Sequence, residues 1–381
     1  MIKDRDLIFF ADDWGRFPST MQHIGKALAR NNRIIWVGSL GLRKPKLNFS
    51  DLKRVIEKVK NFSKRCAVSD AKAPVILVNP IVFPFHDSLL VRKLNNILMK
   101  RKLLNAIKKY DFKNFIIITS SPVMQDLIGK LGEISSYYFC LDDYTLFEGA
   151  FKSLDYLEKQ LLKKVNAVFS VSEGLKHTRI PSSGRSYFLP QGVEIEHFRK
   201  KNDDGVSLKL NLQKTVIGFF GLISEWIDVT LFTQAAKKYP EYSFLIIGRS
   251  TVDVSNFAKF SNIHYIGPVK YEQLPAYAKL MDVGLIPFKI NKLTVAANPL
   301  KLLEYMSLGL PVVSTNLPEV KKFSDYAFVA MNNDQFIEFI KKAVNMNNRE
   351  AAKLRIQLSE KYSWESIAEG IFEKMSSSDI S

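Results

Sequence analysis

The sequence predicts an α/β protein made of two doubly wound parallel sheets, and three observations carry that prediction. Short runs that are apolar throughout alternate with amphipathic helical patterns along the 381 residues. A polar, charged stretch at 193–214 interrupts the alternation once, after which it restarts. The length exceeds what one hydrophobic core ordinarily organises, so two domains of common size are expected.

In chain order, LIFFA (7–11), IIWVG (34–38), VILVN (75–79), FIIIT (115–119), YYFCL (137–141) and AVFSV (167–171) read as strands. Runs apolar at every position suit parallel strands covered on both faces. Between them, PSTMQHIGKALARN, HDSLLVRKLNNILMKRKLLNAIKKY and LDYLEKQLLKKV have helical patterning. Such alternation implies βαβ units. The second half repeats the scheme with VIGFFG (216–221), SFLIIG (243–248), IHYIG (263–267), VGLIPF (283–288), PVVST (311–315) and YAFVA (326–330). Residues 1–198 and 199–362 are the expected domains, followed by a terminal helix over 363–381. No repeat of solenoid length or low-complexity tract is present.

A hydrophobic content of 46% with 15 Pro and 18 Gly fits a globular chain. Cys66 and Cys140 are the only cysteines and lack metal-type spacing, which points to a reducing compartment without a disulfide framework. The start, MIKDRDLIFFADDW, has too short an apolar run for a signal peptide. No apolar stretch reaches the length of about 18 residues that a membrane span needs. A cytoplasmic protein is expected.

The net charge of +17 is unevenly distributed. Residues 1–200 hold 34 Lys and Arg against 19 Asp and Glu, and 41–113 alone hold 18 against 5. A basic excess confined to one half implies a polyanionic partner there. Within 89–110, Leu90, Leu94, Ile97, Leu98, Leu104 and Ile107 recur near the helical period, and Arg92, Lys93, Lys100, Arg101, Lys102, Lys108 and Lys109 are expected on the other side. This is either a solvated face or a patch for anionic membrane. Nucleic acid is disfavoured, because no aromatic residues interleave with the cations as stacking platforms.

Ligands of doubly wound sheets bind beyond the C-terminal strand ends, where the unusual residues fall. FFADDWGRFPSTMQH puts Asp12, Asp13, Trp14 and Arg16 in the first such loop, with His23 early in the following helix. CLDDYTLFEG puts Asp142 and Asp143 after the fifth strand. These carboxylates are candidates for general base or for sugar-hydroxyl ligands, against a plainer reading as helix caps and solvated loops. In the second half, Gly218 and Gly221, Gly248 and Arg249, and Gly267 and Pro268 cluster at three consecutive strand ends, where glycine lets backbone amides approach phosphate. In NPLKLLEYMSLGLPVVST, Lys301 and Glu304 form either an i,i+3 ion pair on a surface helix or a ligand set at a helix N-terminus.

IGPVKYEQLPAYAKLMDVGLIPF followed by PLKLLEYMSLGLPVVST resembles the nucleotide-binding domain of GT-B glycosyltransferases of the family-4 type. The likeness is to the branch of teichuronic-acid-type and xanthan-glucuronosyltransferase-like enzymes. SWESIAEGIF resembles their last helix, which returns to the first domain, and DDWGRFPSTMQH resembles the glucuronosyltransferase opening loop. The likeness covers about 138–375, while 40–115 shares little beyond the strand pattern. The resemblance implies two Rossmann-like domains facing across a cleft, and a hexosyl- or uronosyltransferase that takes a sugar from a nucleotide diphosphate, UDP foremost. It needs no metal or other cofactor. The implied acceptor is a lipid-linked or growing glycan of cell-envelope polysaccharide, lipopolysaccharide included, at the inner face of the plasma membrane. Glu304 would hold ribose hydroxyls and Lys301 the diphosphate, with Asn298 and Leu300 beside the helix start. Arg16 and Trp14 would touch the acceptor. Two departures stand out: Ala296 occupies the place of a Glu in retaining members, and Ser224-Glu225-Trp226, with Asp228, replaces an Arg and Lys. Inversion would need a base from Asp12, Asp13, Asp142 or Asp143. A UDP-sugar 2-epimerase and a non-catalytic GT-B scaffold are the alternative readings.

Overall fold

The strands form where the uniformly apolar runs predict them, in a computed structural model that describes residues 4–15, 18–38, 68–69, 75–80, 82–200 and 210–379. The chain divides into two compact units: Met1–Pro190 with Ile367–Ser381, and Gln191–Ser366. In unit 1 the strands are β1 (Asp6–Phe10), β2 (Arg33–Val37), β3 (Val68–Ser69), β4 (Val75–Val78), β5 (Ile116–Thr119), β6 (Ser135–Cys140), β7 (Ala167–Ser170) and β8 (Ser186–Phe188). They lie in the order β3-β4-β2-β1-β5-β6-β7-β8. Every neighbouring pair is parallel except β3–β4. β3 and β8 were not legible as strands, being two and three residues long at the sheet edges.

Unit 2 contains β9 (Thr215–Phe220), β10 (Tyr242–Ile247), β11 (Ile263–Gly267), β12 (Val283–Ile286), β13 (Val312–Thr315) and β14 (Ala327–Ala330). Their order is β11-β10-β9-β12-β13-β14, all parallel. Successive side chains of a strand point to opposite faces. Accordingly Ile217, Phe219, Phe244 and Ile246 enter one buried cluster with Phe232, Phe336 and Ile340. Val216, Phe220, Leu245 and Ile247 enter the other, with Leu302, Tyr305 and Met306. Helices cover both faces, which is why these strands carry no polar alternation.

Unit 2 begins at Gln191 rather than after residue 198, and local packing explains the shift. The Val193 N–H donates to the Tyr362 carbonyl at 2.9 Å, and Trp364 packs onto Gly192. Phe198, on the helix Ile195–Arg199, is buried in the second cluster. The charged stretch assigned as a linker therefore starts inside unit 2. The last helix, Trp364–Asp379, belongs to unit 1 from Ile367 onward, and the Tyr137 hydroxyl donates to the Met375 carbonyl at 3.2 Å. Among the described residues no helix is long and apolar enough to cross a membrane.

Candidate donor and acceptor sites

In unit 2 the strand order reverses between β9 and β12, and the crossover helix Leu300–Ser307 follows β12. Such a switch point is where open α/β sheets bind ligands. The helix is fixed there by Tyr305, which is fully buried. Its hydroxyl accepts from the Phe220 N–H and donates to the Leu285 carbonyl, both at 3.3 Å, so it ties the ends of β9 and β12 together. Gly284 leaves room for the ring, since a methyl there would lie 2.6 Å from Tyr305 Cδ1. Pro299 occupies the N-cap and offers no side-chain hydrogen bond, and the first turn has no acidic residue. The Leu302 N–H donates to the Pro299 carbonyl at 3.2 Å, which leaves the Leu300 and Lys301 N–H groups and the positive end of the helix dipole open to an anion.

Lys301 and Glu304 do not form the i,i+3 ion pair within 4 Å that a plain surface helix would show. Lys301 lies over Gly221, where an added methyl would sit 2.6 Å from its Nζ. It makes no hydrogen bond or ion pair among the described residues. Gly221 has φ +142° and Gly248 φ +137°, conformations that L side chains rarely adopt, and a methyl on Gly248 would strike the Gly221 carbonyl oxygen. The two glycines pack against one another beneath the ammonium. Glu304 is half-buried one turn further along the helix. Burial raises its pKa, the Lys301 charge lowers it and Glu194 raises it.

Glu194 accepts a hydrogen bond from the Tyr271 hydroxyl at 3.1 Å. Burial, followed by the charges of Glu304 and Glu194, pushes that hydroxyl well above the ordinary tyrosine range. His197 stacks on the Tyr271 ring at 3.9 Å and 6°, and its buried Nε2 has no partner. Sequence reading missed Glu194, His197, Tyr271 and Tyr305. Glu194 and His197 were hidden in the charged stretch at 193–214.

Of the other donor candidates, Gly267 takes φ +72° at the end of β11, with Pro268 exposed after it, and Arg249 is exposed after β10. Asn298 and Leu300 are half-buried at the helix start. Gly218 needs correction. It lies inside β9, paired with Leu245, and a methyl there would drive into the Met281 thioether, so it is a packing glycine rather than a phosphate contact. Where family-4 enzymes carry Arg and Lys, the Ser224 hydroxyl is engaged with Glu225 and Thr251. Ala296 caps the short helix Lys292–Val295.

In unit 1 the two Asp pairs separate into different parts. Asp12 is a brace: Oδ1 accepts from Ser19 Oγ at 2.9 Å and Oδ2 from Gln22 Nε2 at 2.5 Å. Its carbonyl accepts from Trp36 Nε1 at 2.8 Å. Burial raises its pKa, against those side-chain hydrogen bonds. The Asp13 carboxylate lies over the end of β2, where a methyl on Gly38 would meet both it and Asn79.

Asp143 is likewise structural, which corrects its assignment as a candidate base. One oxygen accepts from the Thr145 N–H and hydroxyl, and the other pairs with Arg179 at 2.7 Å. Arg179 also reaches the buried Glu158, which accepts from the Tyr138 hydroxyl at 2.6 Å. The loop after β6 is anchored through this network. Asp142 stands half-buried beside it. The Tyr144 hydroxyl is raised by burial first, and then by Asp142, Cys140, Glu158 and Asp12, which places the β1 and β6 loops within electrostatic reach of each other.

His23 is buried on the helix Thr20–Ala29, not solvent-exposed, and the half-buried Trp14 packs edge-on against Trp36 at 4.7 Å. Arg16 lies outside the described residues. Among the described residues no group of three or more His, Cys, Asp or Glu is placed to hold a metal.

The basic helix, Leu89–Lys109, also differs from expectation. It buries Asn95, Met99, Leu103 and Ala106, while Leu90, Leu94, Ile97, Leu98 and Leu104 face outward. Lys93, Arg101, Lys108 and Lys109 are exposed. Two cations assigned to the outer patch are not free there: Lys102 Nζ donates to the Asn79 carbonyl, and Arg92 has Nε and Nη1 buried.

Two doubly wound units, the second with an uncapped helix N-terminus, a lysine over paired glycines and a half-buried glutamate at its switch point, define the class: a GT-B-type fold. Comparison with known proteins makes this specific. Residues 214–346, within unit 2, match the family described as "Glycosyl transferases group 1". The chain is 29% identical over 222 residues to TuaH of Bacillus subtilis (strain 168), named as a glycosyltransferase of teichuronic acid biosynthesis, covering 56% of this chain and 52% of that one. It is 28% identical over 119 residues to the UDP-glucuronate:glycolipid 2-beta-glucuronosyltransferase of Xanthomonas campestris pv. campestris, covering 31% and 29%. The chain spans about half the length, or less, of these curated relatives. In fold it is similar to Anabaena Alr3699/HepE, solved with UDP and glucose, with a TM-score of 0.69 and 13% identity over 98% of this chain and 100% of that one.

Proposed function

We propose that this chain is a glycosyltransferase that moves a sugar from a nucleotide diphosphate, UDP foremost, to a lipid-linked or growing cell-envelope glycan at the cytoplasmic face of the plasma membrane. The observation that carries the reading is that Lys301 and Glu304 stand together at the switch point of unit 2 without forming an ion pair. The Lys301 side chain lies over Gly221 beside the helix start, and Glu304 stands within electrostatic reach of Glu194 and Tyr271. That arrangement suits a diphosphate at Lys301 and ribose hydroxyls at Glu304. The relatives' names, one a UDP-glucuronate transferase and one assigned to teichuronic acid biosynthesis, support a nucleotide-sugar donor and an envelope acceptor.

In the reaction an acceptor hydroxyl oxygen bonds to the sugar's anomeric carbon as the bond to the diphosphate oxygen breaks. The electron pair leaves on UDP. Lys301 and the amides of the 300–307 helix offset the charge that develops there, and such placed donors commonly supply the largest part of rate enhancement. Neither step draws on a metal or bound cofactor in this reading. The hydroxyl proton goes to Asp13 or Asp142 if the reaction inverts, or to the leaving phosphate if it retains. Acceptor contacts are assigned to unit 1.

Titration calorimetry with a panel of nucleotide sugars, followed by product analysis, tests the reading. Donor turnover without an acceptor would favour a UDP-sugar 2-epimerase. Tight nucleotide binding with no turnover under any acceptor would favour a non-catalytic scaffold.

A further inference from the structure

The Leu89–Lys109 helix is apolar on two opposite sides, and only one of them meets unit 1. At about 3.6 residues per turn, the buried Asn95, Met99, Leu103 and Ala106 form one row. Leu90, Leu94, Ile97, Leu98 and Leu104 fall on the other side and are 37% to 79% exposed. Phe83 and Phe85, in the segment that leads into the helix, are 44% and 56% exposed. Monomeric proteins expose single apolar residues freely, but a continuous row of this length marks an interaction surface.

Charge identifies the partner. Lys93, Arg101 and Lys108 lie among the exposed leucines on the same outward side, and no acidic residue occurs between Asp87 and Asp111. A protein interface would have to desolvate each cation against a matching carboxylate. A bilayer interface accepts both kinds of group at once, with alkyl chains in the acyl boundary and ammonium or guanidinium groups at anionic phosphates. We infer that the outward face of this helix lies in the plane of an anionic membrane, inserting Leu90, Leu94 and Ile97 while Lys93, Arg101 and Lys108 engage lipid phosphate. This deepens the proposed function, which calls for a lipid-borne acceptor, but its test does not depend on turnover.

The full chain is sedimented with vesicles of phosphatidylcholine alone and of phosphatidylcholine mixed with phosphatidylglycerol, at low and high salt. Two triple variants are compared: Leu90→Ser/Leu94→Ser/Ile97→Ser and Lys93→Gln/Arg101→Gln/Lys108→Gln. The wild type is expected to bind the anionic vesicles and to keep part of that binding at high salt. Each variant should lose about tenfold or more in partitioning, and the apolar variant should lose the salt-resistant part. Retained UDP binding would show that both variants are folded. Wild-type vesicle binding untouched by the serine variant would overturn the inference. So would a dimer that this variant converts to monomer, or a loss of thermal stability with unchanged vesicle binding, since another copy or another part of the chain would then cover the face. If UDP binds and vesicles do not, the membrane inference fails while the transferase reading stands. If vesicles bind and UDP does not, the reverse holds.

Discussion

Replacing Lys301 with Met removes the charge while keeping an alkyl stem over Gly221, and so isolates the ammonium. Lys301 has no hydrogen bond or ion pair among the described residues, so the unliganded fold should lose little, within about 0.5 kcal/mol for a site of this kind. The bound state should lose a charge-assisted interaction with phosphate worth about 1.5–3 kcal/mol. That corresponds to a Kd for UDP raised about 10- to 150-fold. Uridine, which has no phosphate, should bind the variant as it binds wild type. Titration calorimetry with UDP, UMP and uridine measures all three. Gly221→Ala is a second route to the same effect, since φ +142° is strained for Ala and the new methyl would lie 2.6 Å from Nζ. It should also weaken UDP more than uridine. Equal losses for UDP and uridine in Lys301→Met, or none for either, would refute the placement of the ammonium on a diphosphate.

Three further outcomes follow from the same geometry. Because burial raises the Glu304 pKa in the folded state, the folded protein holds that proton more tightly than the unfolded chain, and stability falls as pH rises from the ordinary carboxylate range through the raised value. Glu304→Gln should therefore melt higher than wild type at neutral pH and converge with it in acid, while binding both UDP and uridine more weakly; thermal melts across pH check the first part and calorimetry the second. Tyr305→Phe leaves the Phe220 N–H and Leu285 carbonyl without their shared partner, which should cost about 1–3 kcal/mol in urea unfolding. Asp142→Asn or Asp13→Asn should slow an inverting transfer by about 10²–10⁴-fold at saturating donor. Asp143→Asn should instead lower stability through Arg179 and Glu158, with a much smaller effect on rate.

The strands were legible because helices cover both faces of each sheet, which leaves runs such as IIWVG and SFLIIG with no polar positions to confuse. The Leu89–Lys109 helix was misread for a related reason. Periodicity reveals that an apolar row exists, but it does not say which of two rows is buried, and here it is the row with Met99, Leu103 and Ala106. GFFG had the spacing of a ligand loop, yet only the three-dimensional neighbours separate the two glycines, Gly218 against Met281 and Gly221 beneath Lys301. Asp143 and Glu158 share Arg179 as partner, and Glu194 is held by Tyr271, separations that no local pattern encodes. Lys301 and Glu304 were singled out through resemblance to a family, whereas their spacing alone suited an ion pair that the structure does not form.

The most direct measurement is mass spectrometry of a lipid-linked glycan fraction incubated with the protein and UDP-sugars, with UDP release followed in parallel. The account predicts glycan products heavier by one hexosyl or hexuronosyl residue, formed in step with UDP release, and both lost in Lys301→Met. UDP-sugars that neither bind nor react, or donor consumed with no gain in glycan mass, would contradict it.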